Sequence, residues 1–159
     1  VALADDLRAF HFQPRISKKD TTMAAQKGKD LLLKIDPAKS GTFQTVAGLR
    51  SRSIAFGTET VDITHQESDG QWRELLAGGG VRTARLSASG IFKDAESDGH
   101  LRAAFFAGDL VDCQIVMPDF GVLEGPFQVT SLEWTGRHDN ELTFEIGLES
   151  GGRIAFTAA

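Results

Sequence analysis

Apolar and polar residues alternate strictly near the end of the chain, and this pattern constrains the fold more than any other. The apolar positions are Leu142, Phe144, Ile146 and Leu148, and the positions between them are Thr143, Glu145, Gly147 and Glu149. A period of two places successive side chains on opposite faces of a β-strand, so that one face is buried and the other is solvated. Several such segments in one chain predict an antiparallel sheet with one polar face.

Extended segments of this kind recur along most of the sequence. Strands are predicted at residues 30–35, 43–46, 49–56, 61–64, 81–92, 110–117, 125–135, 141–149 and 153–157. The period becomes helical only over residues 96–107, where Leu101, Ala104 and Phe105 follow the capping types Ser97 and Asp98 and precede Gly108. The predicted fold class is mainly β: an antiparallel β-sandwich or rolled sheet with one covering α-helix and one long loop.

Length and charge limit the number of domains and the kinds of partner. A chain of 159 residues with 41% hydrophobic residues is expected to build a single core. Its formal net charge of −5 argues against binding nucleic acid by bulk charge, which needs many Lys and Arg contacts with phosphates. Cys113 is the one cysteine, and its apolar run LVDCQIVM predicts a buried residue rather than a nucleophile. No signal peptide or membrane segment is apparent, which predicts a soluble protein assembled in the cytoplasm.

The first 22 residues differ from the rest of the sequence. They contain an apolar patch (Leu7, Phe10 and Phe12) and a basic pair, whereas Met23 begins a segment typical of a protein start. We interpret residues 1–22 as an N-terminal extension of doubtful origin and residues 23–159 as the domain. The alternative is an N-terminal arm that docks on a neighbouring molecule.

Candidate catalytic and metal-binding residues do not form a recognisable pattern. The four histidines (His11, His65, His100 and His138) are far apart, and no pair has metal-ligand spacing. The acids Asp94, Glu96 and Asp98 resemble a calcium loop only faintly, because Phe105 stands where its twelfth, acidic ligand belongs; helix capping explains Asp98 equally well. The sequence therefore predicts neither an enzyme nor a cofactor or metal site.

One long excursion interrupts the β pattern, at residues 62–80 (DITHQESDGQWRELLAGGG). Glycines at its middle and end provide backbone freedom, and Trp72, Leu75 and Leu76 provide apolar area. Trp and Arg are enriched among the residues that dominate binding at interfaces, and Arg73 with Glu74 can fix register by charge pairing. From the residues alone, an assembly loop and a loop packed on its own subunit, with Trp72 plugging the sandwich, remain equal alternatives.

The combination of three segments resembles the major tail protein (tail tube protein) family of long non-contractile tailed phages and alphaproteobacterial gene transfer agents. These segments are DIT at residues 62–64, SDGQWRELLAG at residues 68–78 and LSASGIF at residues 86–92. The likeness extends over residues 23–159, including the single helix and the closing hairpins. The resemblance implies a tail-tube-like fold in a structural protein of the particle tail, without catalytic activity.

The resemblance also implies partners and interface residues. Family members form hexameric rings that stack into a hollow tube, which conducts DNA to the recipient cell. The implied partners are further copies of the chain, tail terminator and distal tail proteins at the ends, and tape measure protein and DNA in the lumen, without sequence-specific binding and without a membrane. The implied inter-subunit loop comprises Asp69, Gly70, Trp72, Arg73, Glu74, Leu75, Leu76 and Gly78.

The polar face of the last long strand is a candidate lumen wall. Thr143, Glu145 and Glu149 are small, polar or acidic, as a surface that repels DNA requires. Two alternatives remain at this point: a self-contained β-sandwich that binds a carbohydrate or a receptor, and the inner tube of a contractile injection machine. In a binding module, Trp72 is expected on a rigid platform rather than on a glycine-flanked loop.

Overall fold

The computed structural model describes Ala25 and residues 27–159. The expectations for residues 1–22, including their apolar patch and His11, lie outside the described residues. Within the described part of the chain there are ten strands, one α-helix and two single-turn 3₁₀ segments, at Gly28–Asp30 and Asp69–Gln71. The strands are β1 (Leu32–Asp36), β2 (Gln44–Thr45), β3 (Leu49–Thr58), β4 (Val61–Asp62), β5 (Leu75–Leu76), β6 (Arg82–Ile91), β7 (Leu110–Met117), β8 (Gly121–Thr135), β9 (Thr143–Ser150) and β10 (Ala155–Ala158), and α1 spans Glu96–Ala107.

Strand β8 is the central strand of the main sheet, whose order is β2-β1-β7-β8-β9-β6-β3. All the pairings are antiparallel, and β8 is long enough to pair with β7 on one side and with β10 and then β9 on the other. A register shift between Val129 and Ser131 marks an irregularity in β8 where β9 is already paired. Bulges of this kind increase local twist and help a sheet to roll.

The inward face of the rolled sheet forms one hydrophobic core. Phe127 of β8 is the largest fully buried side chain, with none of its surface exposed. The alternation read from the sequence is confirmed in β9, where Phe144, Ile146 and Leu148 are buried and Glu145 and Glu149 are exposed. Cys113 of β7 is also fully buried, as expected of a small apolar residue.

Helix α1 covers part of this core and confirms the predicted helix. Leu101 is its buried anchor. Gly108 ends the helix with φ of 72°, a left-handed conformation that favours glycine. The start differs from expectation: Ala95 is the N-cap, and Asp98 accepts a hydrogen bond from its backbone amide at 3.1 Å. Asp98 therefore caps the helix from its third position, which accounts for its burial.

Several strand boundaries differ from the sequence prediction. β8 begins at Gly121 rather than at residue 125, because the tight turn at residues 118–120 lets it pair with the whole of β7. The segments at 43–46 and 61–64 shorten to two-residue strands. β1 begins at Leu32, after the 3₁₀ turn. The two-residue strands lack the buried alternation that fixes the longer strands.

Candidate functional site

The excursion between β3 and β6 is an ordered hairpin, which we call the arm (residues 59–81). Its base is closed by the amide of Glu59, which donates to the carbonyl oxygen of Val81 at 2.9 Å. Further out, β4 pairs with β5 through Val61 opposite Leu76. The Ile63 amide then donates to the carbonyl of Glu74 at 3.0 Å. The two legs are therefore joined from the base to the last turn.

Side chains brace the two legs of the arm. Arg73 Nε lies 3.2 Å from Asp62 Oδ2, and the Glu74 amide donates to Thr64 Oγ1 at 2.9 Å. Hydrogen bonds from the hydroxyl and amide of Thr64, together with the charge of Arg73, hold the pKa of Asp62 below its usual value. Arg73 was expected to fix register with a neighbouring subunit, but here it pairs within its own arm.

The tip of the arm is a tight turn organised around Ser68. Ser68 is 5% exposed; its hydroxyl accepts from the His65 amide at 3.0 Å, and its carbonyl accepts from the Gln71 amide at 3.0 Å. Gly70 has φ of 57°, the conformation that favours glycine. Asp69 lies in this turn with its side chain exposed, and its carbonyl accepts from the Trp72 amide at 3.1 Å.

The arm exposes a band of large apolar side chains. Trp72 is 78% exposed, and Ile63, Leu75 and Leu76 are also exposed. The alternative in which Trp72 plugs its own sandwich is therefore wrong. Exposed apolar surface concentrated on one projection is typical of an interaction site.

The close approach of the two legs at the base of the arm requires a glycine. A Cβ atom at Gly80 would overlap the carbonyl oxygen of Glu59 on the opposite leg. Gly78 has φ of 73° in the turn that follows β5. The glycine run was expected to provide backbone freedom, and at Gly80 it also permits close approach of the two legs.

A second surface is the outer face of β3, β6, β8 and β9, which we call the small-residue face. Across β3 and β6, the hydroxyls of Ser53 and Ser87 lie 2.8 Å apart. At its centre, the hydroxyl of Ser131 occupies the space that a Cβ at Gly147 would need. The residues of this face are Ser51, Ser53, Arg85, Ser87, Ser89, Ser131, Glu133, Thr143, Glu145, Gly147 and Glu149.

Acidic residues dominate the charge of the small-residue face. Glu149 pairs with Arg85, with Nε–Oε1 at 3.2 Å. Glu145 lies between Ser89 and Glu133 and has no ion pair within the described residues. The Thr143 hydroxyl donates to the carbonyl of Thr135 at 3.2 Å. The sequence analysis singled out Thr143, Glu145 and Glu149 but missed Glu133, because no local pattern pairs it with Glu145.

The described residues do not assemble a metal site or a membrane span. No group of three or more His, Cys, Asp or Glu side chains among them is placed to hold a metal ion. Two of the described histidines make local contacts: His65 Nδ1 lies 3.1 Å from Ser68 Oγ, and His100 Nε2 lies 3.3 Å from Glu96 Oε1 on α1. In the described part of the chain, no helix is long and apolar enough to cross a bilayer.

Comparison with solved structures finds two relatives from gene transfer agent particles. One is a chain from the tail of an empty particle solved by helical refinement with C6 symmetry. It is 50% identical to this chain with a TM-score of 0.80, and the match covers 84% of this chain and 100% of that chain. The other comes from the virion of a native gene transfer agent particle: 48% identity, TM-score 0.78 and the same coverage.

More distant structures share the fold. The tail tube of SPP1 is 12% identical with a TM-score of 0.65, over 84% of this chain and 79% of that chain. A chain of the anti-feeding prophage baseplate is 7% identical with a TM-score of 0.62, over 86% and 97%.

Family comparison agrees with the structural relatives. No curated protein sequence matches the chain. The family described as phage tail tube protein matches residues 25–156. The resemblance read from the sequence is confirmed, and this chain belongs to the phage tail tube protein family.

Proposed function

We propose that this chain forms the tail tube of a gene-transfer-agent type particle, in which rings of six copies stack into a hollow tube that conducts DNA to a recipient cell. The supporting observation is the 50% identity with a chain of a C6-symmetric tail, all of which this chain covers. The binding-module alternative is not favoured, because the family is structural and its match includes the whole arm.

The arm is the proposed contact between subunits. Its apolar band is exposed on a braced hairpin that projects from the sheet. A rigid projection loses less conformational entropy on docking than a flexible loop does. Trp72, Leu75 and Leu76 are the proposed anchors, and Asp69, Gly70 and Gly78 shape the turns that present them.

Neighbouring copies would also satisfy the edges of the main sheet. Among the described residues, β3 pairs only with β6, so the outer edge of this ten-residue strand has no partner strand. A long exposed edge invites uncontrolled pairing, whereas a ring of sheets closed through neighbours removes it. The long unpaired edge of β3 therefore supports a chain that assembles with other copies rather than one that remains a monomer.

The small-residue face is the proposed lumen wall. Its acids Glu133, Glu145 and Glu149 repel phosphate charge, and its side chains are mostly small, so they project little from the wall. DNA and a tape measure protein would pass along this face without sequence-specific contacts. Terminator and distal tail proteins would cap the two ends of the tube.

Electron microscopy of the purified protein, concentrated in steps, tests the proposal. We expect rings or tubes with sixfold averages and a central channel. A protein that stays monomeric at every concentration, both alone and with added tube fragments from particles, would contradict the tube function.

A further inference from the structure

A groove of about 650 Å³ lies at the end of the rolled sheet where β6 begins. Its lining is mixed: the apolar side chains are those of Phe56, Val81, Ala84, Leu123 and Ile154, and the polar or charged ones are those of Arg82, Thr83, Ser150 and Arg153. None of the lining residues belongs to helix α1.

The groove leaves one inward-facing side chain of the sheet open to solvent. Phe56 pairs with buried Ala84, so it points toward the core side, yet it is 59% exposed. Val81, which also lines the groove, is 62% exposed. Exposed apolar side chains grouped in this way are typical of a surface completed by a partner.

The arm of the same chain does not fill its own groove. Val81 is the one arm residue among those that line it, and the legs are joined from Glu59 to Glu74. The tip therefore lies several residues beyond the base, and the groove adjoins the base. The arm tip and the groove are different surfaces that cannot meet within one chain. A contact between the tip of one copy and the groove of the next is therefore heterologous (head to tail), and such contacts generate rings or filaments.

Charge supports the arm of another copy as the occupant. The arm carries five acidic side chains and a single arginine, and that arginine is paired with Asp62. Within the described residues, Glu67 and Asp69 at the tip make no ion pair, and neither do Arg82 and Arg153 at the groove. Complementary rims of this kind steer association and fix register.

We infer that the groove bounded by Phe56, Leu123 and Ile154 receives the Trp72 tip of a neighbouring copy, with Glu67 and Asp69 placed against Arg82 and Arg153. This inference rests on the proposed tube function and names the receptor surface for the arm. The volume is within the range of about 300–1,000 Å³ that is usual for binding pockets, enough for the Trp72 side chain and its apolar neighbours.

Charge reversal tests the contact. The groove variant Arg82→Glu with Arg153→Glu, and the arm variant Glu67→Arg with Asp69→Arg, should each raise the concentration needed for tubes by about tenfold or more. For the chain with all four changes, the concentration needed for tubes should return to within about threefold of the wild-type value. The control is Arg102→Glu with Arg137→Glu, two exposed arginines that make no ion pair among the described residues and lie outside the groove. It should assemble as the wild type does.

A disulfide measurement gives a second, independent readout. Glu67→Cys with Arg153→Cys replaces one proposed charge pair by two thiols, and the native Cys113 is buried and does not compete. Oxidised tubes should give a ladder of linked chains on a denaturing gel.

Three outcomes would overturn the inference. They are a groove variant that assembles like its control, a fourfold variant no better than its parents, or oxidised tubes without a ladder. In each case the wild type still forms tubes, so the tube function stands. If the wild type itself forms no tubes, the tube function and this inference both fail.

Discussion

Arg85 and Glu149 face each other across β6 and β9 with Nε and Oε1 3.2 Å apart, whereas the next acid along β9, Glu145, has Glu133 directly opposite it on β8. The small-residue face therefore contains one neutralised acid and one pair of like charges. Like charges opposite each other on neighbouring strands are unfavourable. Their presence together supports the proposed lumen wall, which would have to repel phosphate.

Reversing these charges should impair DNA passage and leave assembly intact. In particles built with Glu145→Lys and Glu149→Lys subunits, we expect gene transfer to recipient cells to fall by about tenfold or more, because lysines contact phosphates. Folding should not suffer at the first of these positions, since the introduced ammonium group would face the carboxylate of Glu133 as an opposite charge.

The matched control reverses two exposed acids off this face, Glu96→Lys and Glu141→Lys, each of which has one partner, as Glu149 does. Gene transfer with the control should be close to normal. Equal transfer by both variants would contradict the lumen assignment.

Truncating the arm anchors should abolish tubes and spare the fold. For Trp72→Ala with Leu75→Ala, we expect no tubes by electron microscopy where the wild type forms them. Because both side chains are exposed in the monomer, its free energy of unfolding should change by about 0.5 kcal/mol per site or less. Phe106→Ala is the control, since Phe106 is as exposed as Trp72, at 78%, but lies on α1. Tubes from the arm variant would argue against the arm as an assembly device.

Substitution of Phe127 in β8 and of Phe120 in the turn before it should affect stability very differently. Phe127 is fully buried, so Phe127→Ala should lower the free energy of unfolding by about 3–5 kcal/mol through lost burial and a cavity. Phe120 is 58% exposed, and Phe120→Ala should cost about 1 kcal/mol or less. Urea denaturation of both variants measures the difference, and similar midpoints would contradict the core assignment.

The thiol of Cys113 should be inert in the folded protein. Burial, and secondarily the charge of Asp112, raises its pKa to about 12, so thiolate is scarce at pH 8. A thiol reagent at pH 8 should label Cys113 only after addition of denaturant. Rapid labelling of the native protein would show that β7 opens readily.

Asp36 should make stability fall in acid. Burial opposes its charge, but hydrogen bonds from the Gly41 and Ser40 amides, the Ser40 hydroxyl and the Ala38 amide outweigh it and lower its pKa below the usual 3.8. The stability that this carboxylate contributes is present above about pH 4 and is lost as pH falls through the folded-state pKa.

The variant Asp36→Asn should therefore lower the melting temperature at pH 7 more than at pH 2.5. The melting temperatures of the wild type and the variant should converge in acid. Both should still fall somewhat as pH is lowered, because the pKa of Asp62 is also lowered in the folded protein. A constant difference between their melting temperatures across this range would contradict the assignment.

The sequence alone was enough to predict the strand-rich fold, the helix and the family. β9 and β7 were predictable because each alternates buried and exposed residues over eight positions, and α1 because Leu101 and its neighbours change to helical spacing before Gly108. The loop motif around Trp72 was specific enough to identify the tail tube family.

Only the tertiary structure decided where these elements meet. The pairing of Glu133 with Glu145, the overlap that requires Gly80, and the groove beside Phe56 each join residues that are distant in sequence. Local periodicity reports which face of a strand is buried, but it carries no information on which strand lies beside it. The sequence therefore determined which face of the long alternating strands is apolar, as in β7 and β9. Long-range pairing determined the shape and charge of the surfaces on which assembly would depend.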